Sequence, residues 1–152
     1  MKLSKIIESL ENWAPSIYQE SYDNSGLIIG DINSNINGCL ITLDCTEKVI
    51  DEAIKKKCNL IISHHPLLFK SINKINYDNW ESRVIKKSIQ NNINIYALHT
   101  NLDNVSDGVN KKICDILKIN NPKILRKKEN LSCKLDIYIP EVDKDVFLNN
   151  IF

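Results

Sequence analysis

The sequence predicts an α/β fold in which a parallel-type sheet is flanked by helices, and three observations support that prediction. Three short apolar runs have the length of strands, and they lie at 39–43, 60–62 and 93–98. Amphipathic helical patterns separate these runs and follow the last one, and such a strand–helix alternation is typical of a parallel sheet. The run Leu60-Ile61-Ile62 is apolar at every position, as expected of a strand that helices cover on both faces.

Four helices are predicted from apolar residues that recur at three- and four-residue spacing. The first spans 2–13, with Ser4 as its expected N-cap, and it ends before Pro15. The others span 46–57, 80–90 and about 106–117. The residues expected to face inward are Val49, Ile50, Ala53 and Ile54 in the second helix, and Val84, Ile85 and Ile89 in the third.

A turn-forming stretch, Tyr22-Asp23-Asn24-Ser25-Gly26, lies after the first helix and leads into the short apolar run Leu27 to Ile29. Because Asp, Asn and Gly are common in turns, the stretch can be a plain turn that feeds a strand. It can equally be a loop that folds over a functional rim. Sequence spacing leaves both interpretations open.

Composition narrows the class of protein. The chain has 152 residues, 43% of them hydrophobic and 26% charged, with a net charge of +1. These values are typical of a soluble globular domain and give no support for a nucleic-acid or membrane partner. The basic runs at 55–57 and 126–128 are interpreted as solvated surface. No segment approaches the about 18 apolar residues of a membrane span. The five cysteines form no CxxC pair, so we expect a reducing, cytoplasmic compartment.

The scarce histidines and two aspartates follow the predicted strands. Asp44 comes after the first strand, His64 and His65 after the second, and His99 with Asp103 after the third. Because the carboxyl ends of parallel strands share one edge of a sheet, we expect these side chains to gather there. Imidazole and carboxylate together bind zinc, iron, manganese, nickel or cobalt. His64 and His65 can each serve one ion of a two-metal pair, with Asp103 between them.

Other roles are open for three of these residues. Asp44 and Asp103 can instead cap the helices that follow them, and Asp44 can support a ligand from behind. His99 is the weaker ligand candidate, since it can orient a ligand or contact a substrate. We therefore assign His64, His65 and Asp103 as metal ligands, with His99 and Asp44 as catalytic candidates.

These motifs resemble the NIF-three-like dinuclear metal-binding family, whose members are called GTP cyclohydrolase I type 2 homologues. The resemblance lies in four strings: Tyr22-Asp23-Asn24-Ser25-Gly26-Leu27, Leu43-Asp44-Cys45-Thr46, Ser63-His64-His65-Pro66-Leu67-Leu68-Phe69 and His99-Thr100-Asn101-Leu102-Asp103. It implies two α/β halves around a pair of divalent ions, with His64, His65 and Asp103 as ligands. It also implies a ring-shaped homohexamer. Some members are described as partners of transcription factors.

The resemblance also implies a domain plan. Residues 1–120 correspond to the N-terminal half of the family's core and 121–133 to a hinge. Residues 134–152 resemble the start of an inserted ferredoxin-like α+β domain, with a strand at 134–139 and a helix after Pro140, apparently truncated. The family completes its site with a closely spaced histidine and glutamate from the second half. No histidine follows His99 here.

Two functions follow from this pattern. The first is a metal-dependent hydrolase in which activated water attacks a phosphate ester or a ring carbon of a small molecule, assisted by Asp44 or His99. The alternative is a non-catalytic oligomeric assembly or binding protein, or an inactive fragment, with an incomplete metal site.

Overall fold

The computed structural model describes residues 1–126 and 136–151, and this part of the chain forms an α/β fold with a four-stranded sheet flanked by helices. Two single 3₁₀ turns, Ser16–Tyr18 and Glu141–Asp143, accompany the regular elements. In chain order these elements are α1 (Leu3–Trp13), β1 (Gly26–Ile29), β2 (Cys39–Thr42), α2 (Glu47–Lys55), β3 (Leu60–Ser63), α3 (Trp80–Gln90), β4 (Asn94–Ala97), α4 (Thr100–Asp103), α5 (Val109–Ile116) and α6 (Lys144–Ile151).

The sheet has the order β1-β4-β3-β2. Strands β2, β3 and β4 are parallel, as predicted, with Leu60 opposite both Cys39 and Asn94. Strand β1 is antiparallel to β4, with Gly26 opposite Ala97, so the sheet is mixed and the expectation of a parallel sheet is wrong at this edge. The connection from β1 to β2 contains no helix, although a return in the parallel direction needs such a crossover, so β1 runs opposite to β2 and hence to its own partner β4.

Helices cover both faces of the sheet because successive strand residues point to opposite sides. One apolar cluster joins Ile61 and Ile95 to the buried side chains of α2 and α3. The other joins Leu60 and Tyr96 to α1, whose Leu3 is fully buried. The predicted placement of helices around a buried central strand is confirmed.

Helix bounds follow the predicted pattern closely, with corrections at the ends. Helix α3 has the predicted bounds, whereas α5 begins only after Gly108. Ser4 is not the N-cap of α1, because the cap position is Lys2 and no side chain caps the helix. Instead, the backbone N–H groups of Leu3 and Ser4 donate to carbonyl oxygens of the 32–34 loop, at 2.9 Å each. Tertiary contacts have replaced the local cap.

Two predicted core residues lie on the surface. Ile54 of α2 and Ile89 of α3 are exposed, whereas Ile50, Ala53, Val84 and Ile85 are buried. The apolar stripe of each helix is wider than the strip that packs against the sheet, so these two side chains lie at its outer edge.

The C-terminal segment agrees in part with the predicted strand and helix. Helix α6 lies where a helix is expected after Pro140, but residues 136–139 are not a strand. Positions 134–135 of that strand and 127–133 of the hinge lie outside the described residues. Among the described helices, none has the length and apolarity needed to cross a bilayer.

Candidate metal centre

The carboxyl ends of β2, β3 and β4 meet at one edge, as predicted, and bring the three histidines together. One ring nitrogen from each of His64, His65 and His99 lies within 4.8 Å of the other two. The ring centroids of these residues are 5.1, 5.2 and 5.6 Å apart. We call these three residues the histidine cluster.

Strand pairing continues just far enough to place both adjacent histidines at the edge. The backbone N–H of His64 donates to Thr42 (3.1 Å), and that of His65 donates to Leu43 (2.9 Å). The Ser63 hydroxyl then donates to the carbonyl of His65 at 2.9 Å, which closes a turn directly after β3. The chain therefore leaves the pleat at the two histidines, and their ring centroids lie 5.1 Å apart instead of on opposite faces of the sheet.

Each histidine donates its Nδ1–H to an oxygen acceptor. His64 donates to the carbonyl of Leu98 (2.8 Å), His65 to Asp44 Oδ1 (2.7 Å) and His99 to Asp23 Oδ1 (2.8 Å). Carbonyl and carboxylate oxygens have no hydrogen to give, so the Nδ1 atoms carry the protons. The Nε2 lone pairs are left for another ligand. Oxygen acceptors behind metal-binding histidines hold the rings in this way.

Asp23 is the buried carboxylate of the site. Burial alone would raise its pKa, but hydrogen bonds from the Thr100 hydroxyl, the His99 ring and the N–H groups of Asn24 and Thr100 outweigh it. They lower the pKa of Asp23 to about 2. The turn around Asp23 therefore folds against the sheet edge that carries the histidines. This favours the interpretation of the stretch as a loop over a functional site instead of a plain turn. Sequence analysis assigned Asp23 no role, because its partners lie 76 and 77 positions away.

Asp44 and Asp103, the two aspartates assigned from the sequence, differ in their relation to the histidine cluster. Asp44 contacts His65 and is exposed, and Thr46, not Asp44, caps α2 by accepting from the Val49 N–H. Asp103 ends the short helix α4 and is half-buried. It does not belong to the group of side chains within 4.8 Å, so its role as a ligand stays a prediction. His99 joins that group, although the sequence made it the weaker ligand candidate.

Two exposed aromatic rings border the histidine cluster. The Phe69 ring lies 6.0 Å from His99, centroid to centroid, and 6.3 Å from Tyr22, both in edge-on geometry. They place an apolar wall beside the polar rim.

The donor set suits a divalent transition metal. Three neutral imidazoles are the ligand type that zinc, iron, nickel and copper prefer. Two nitrogen ligands on a tetrahedral zinc are about 3.4 Å apart, so the rings need to approach by at most about 1.4 Å to share one ion. Rotation of the exposed His65 side chain can supply much of that approach, whereas His64 and His99 are half-buried. The residues present therefore fit the metal that the sequence motifs imply.

The chain is therefore an α/β protein in which three histidines at the carboxyl edge of the sheet could hold a metal ion. The chain belongs to the Duf34/NIF3 (NGG1p interacting factor 3) family, whose sequence profile matches residues 1–150. This confirms the resemblance drawn from the motifs.

Relatives of this chain carry the name "GTP cyclohydrolase 1 type 2 homolog". The one from Clostridium acetobutylicum is 45% identical over 127 residues, which cover 84% of this chain and 47% of the relative. The one from Staphylococcus epidermidis is 43% identical over 141 residues, covering 93% and 38%. The chain therefore spans less than half the length of these relatives.

Solved structures give the same picture. A Bacillus cereus protein related to NIF3 matches with a TM-score of 0.80 and 38% identity, over 84% of this chain and 36% of that one. Reduced HcgD from Methanocaldococcus jannaschii matches with a TM-score of 0.78 and 34% identity, over 83% and 50%.

Proposed function

We propose that this chain binds a divalent metal ion through the Nε2 atoms of His64, His65 and His99. The observation that carries this proposal is the convergence of three imidazoles whose Nδ1 atoms all donate to oxygen acceptors. Histidines without a common function are not expected both to converge and to donate all their Nδ1–H groups to oxygen acceptors.

The proposal extends to Asp103 and to a second ion. Family resemblance assigns His64, His65 and Asp103 as ligands, and Asp103 lies one helical turn after His99 on α4. Zinc, iron, manganese, nickel and cobalt all accept imidazole and carboxylate ligands. A divalent ion bound here supplies Lewis-acid chemistry, since it polarises a substrate oxygen and lowers the pKa of water.

The activity that we propose is metal-dependent hydrolysis, in which water attacks a phosphate ester or a ring carbon of a small molecule. In this scheme Asp44 takes the proton that the attacking water loses, because it is the exposed carboxylate in contact with the cluster. Its Oδ1 already accepts from His65 Nδ1 and so orients that ring. The His99 ring borders Phe69, so a substrate bound beside the ion would also contact His99.

Metal content tests the binding proposal. The purified chain is loaded with Co²⁺, desalted and analysed by mass spectrometry for bound metal. We expect at least one equivalent in the wild type and a large loss in His65→Ala, whose exposed position spares the core. Asn120→Ala changes an exposed side chain outside the cluster and its hydrogen-bond partners, and it should retain the metal. Trace metal in the wild type, or unchanged binding in His65→Ala, would contradict the proposal.

The alternative function is a non-catalytic oligomeric assembly, and one observation favours it. Large apolar side chains are exposed beside the histidine cluster, in the loop before α3 and on α3, and Phe69, Ile75 and Ile89 are examples. Exposed apolar surface of this kind often marks a protein–protein interface. We therefore propose homo-oligomers, with the hexamer as the expected form. Light scattering measures the assembly, and a phosphoester turnover that Asp103→Ala abolishes would reject the non-catalytic alternative.

The proposed compartment is the cytoplasm. Cys39, Cys45, Cys58 and Cys114 are free thiols, as a reducing environment would leave them.

A further inference from the structure

Asp23 occupies a position that the proposed function does not explain by itself. Its side chain is fully buried, although a carboxylate is among the side chains least often buried. It lies in the turn before β1, and it contacts His99 and Thr100, which lie a short way after β4. Because burying a carboxylate without hydrogen-bond partners costs free energy, the partners of Asp23 indicate what it does.

Both oxygens of Asp23 are fully used. Oδ1 accepts from the Asn24 N–H at 2.6 Å and from His99 Nδ1 at 2.8 Å. Oδ2 accepts from the Thr100 N–H at 3.0 Å, from the Ser25 hydroxyl at 3.1 Å and from the Thr100 hydroxyl. The Thr100 oxygen in turn accepts from the Glu20 N–H at 2.8 Å, so its single hydrogen is directed at Asp23. The carboxylate cannot rotate without breaking several of these bonds.

This anchoring has a direct consequence for His99. A carboxylate with a fixed orientation presents only an acceptor to Nδ1, so the neutral ring must carry its single proton there and keep Nε2 free. The acceptors of the other two rings differ in how firmly they are held. Asp44 is exposed beside His65, and a backbone carbonyl serves His64.

We propose that Asp23 is the positioning residue of the metal centre. It fixes His99 in the Nδ1–H form and points Nε2 at the other two histidines. The inference rests on the proposed metal function for its purpose, but the proton position on His99 is a property of the metal-free chain. Asp23 touches neither metal nor substrate in this scheme and acts through His99.

The test variant is Asp23→Asn, which keeps the shape and removes the charge. Three donors face the Oδ2 position, whereas one fixed donor, the Asn24 N–H, faces Oδ1 beside His99, so the amide oxygen should settle at Oδ2 and the amide NH₂ should face His99. A donor at that place would force Nδ1 to accept and move the ring proton to Nε2. The nitrogen needed for metal would then be blocked.

Two measurements read this effect. Long-range ¹H–¹⁵N NMR of the metal-free chain reports which nitrogen of each of its three histidines is protonated, and His99→Gln identifies the His99 signals. We expect the Nδ1–H form in the wild type and the Nε2–H form in Asp23→Asn. Competition with a coloured chelator measures Co²⁺ affinity, which should fall about 10- to 100-fold in Asp23→Asn. Asp107→Asn, an exposed carboxylate with the same charge change, should retain the wild-type pattern in both.

Several outcomes overturn the inference. One is an Nε2–H form of His99 in the wild type, and this spectrum decides the matter even if Asp23→Asn fails to fold. Another is a folded Asp23→Asn chain with unchanged proton position and Co²⁺ affinity. If the wild type binds no Co²⁺, the proposed metal function fails, whereas the NMR spectra still decide whether Asp23 positions His99.

Discussion

We expect the buried Cys45 thiol to make the free energy of unfolding fall as pH rises above about 8.5. Its thiol is 3% exposed within the apolar cluster under α2, and burial raises its pKa to about 12. In an unfolded chain a cysteine has a pKa of about 8.5. Between these two values the folded state keeps a proton that the unfolded state releases. Stability therefore decreases as pH rises, and the contribution is complete only below about pH 8.5.

The expected magnitude is about 1.4 kcal/mol per pH unit above the unfolded pKa, or about 2.7 kcal/mol lost by pH 10.5. Urea denaturation between pH 7.5 and 10.5 measures the free energy of unfolding of wild type and Cys45→Ala. The alanine variant loses some packing energy at every pH, which offsets its curve. It also loses the titrating thiol, which flattens its curve relative to the wild type.

Ile50→Val is the matched control, because it trims the same cluster without removing a titratable group. Its curve should be displaced from the wild-type curve but parallel to it. The reasoning is refuted if Cys45→Ala also runs parallel to the wild type, because the thiol would then titrate alike in the folded and unfolded chains.

Three further predictions concern stability and are checked by urea denaturation at pH 7. Tyr96→Phe removes the 2.7 Å hydrogen bond from the buried phenol to Glu11 and should cost about 1.5 kcal/mol; an unchanged midpoint would show that this link between β4 and α1 contributes nothing. Gly30→Ala should cost about 3 kcal/mol, because φ is +136° and the new Cβ would lie 2.2 Å from the hydrogen-bonded Asn94 Oδ1. A loss below about 1 kcal/mol would mean that the turn relaxes freely. Thr46→Ala removes the N-cap of α2 and should cost about 1 kcal/mol, whereas Thr46→Ser should restore most of it.

Local patterns predicted the elements well where the chain's own neighbours determine them. Helix α3 begins after Asn79, whose side chain accepts from the Ser82 N–H. Its apolar residues recur at helical spacing, so its bounds could be predicted. The strands were found from short apolar runs. The edge that collects the histidines followed from the parallel order of β2, β3 and β4.

Features set by distant segments were not predictable in this way. The direction of β1 depends on its pairing with β4, some 70 positions along the chain. The N-terminus of α1 is satisfied by a later loop instead of Ser4. Asp23 looks like any turn aspartate until the fold brings it to His99. The inclusion of His99 in the cluster depended on distances between strand ends, which spacing along the sequence does not contain.

The position of strand β4 within the sheet means that the three histidines are not held equally firmly. All four of its residues are buried, and it is paired on both sides, so its amide hydrogens should exchange with solvent only when the whole fold opens. His99 follows this strand, and His64 is tied to the same segment through Leu98. His65 instead rests on Asp44, beyond the edge strand β2. Asp44 follows an edge strand, whereas Leu98 follows the central strand β4, so we expect local fluctuations to loosen His65 before His64.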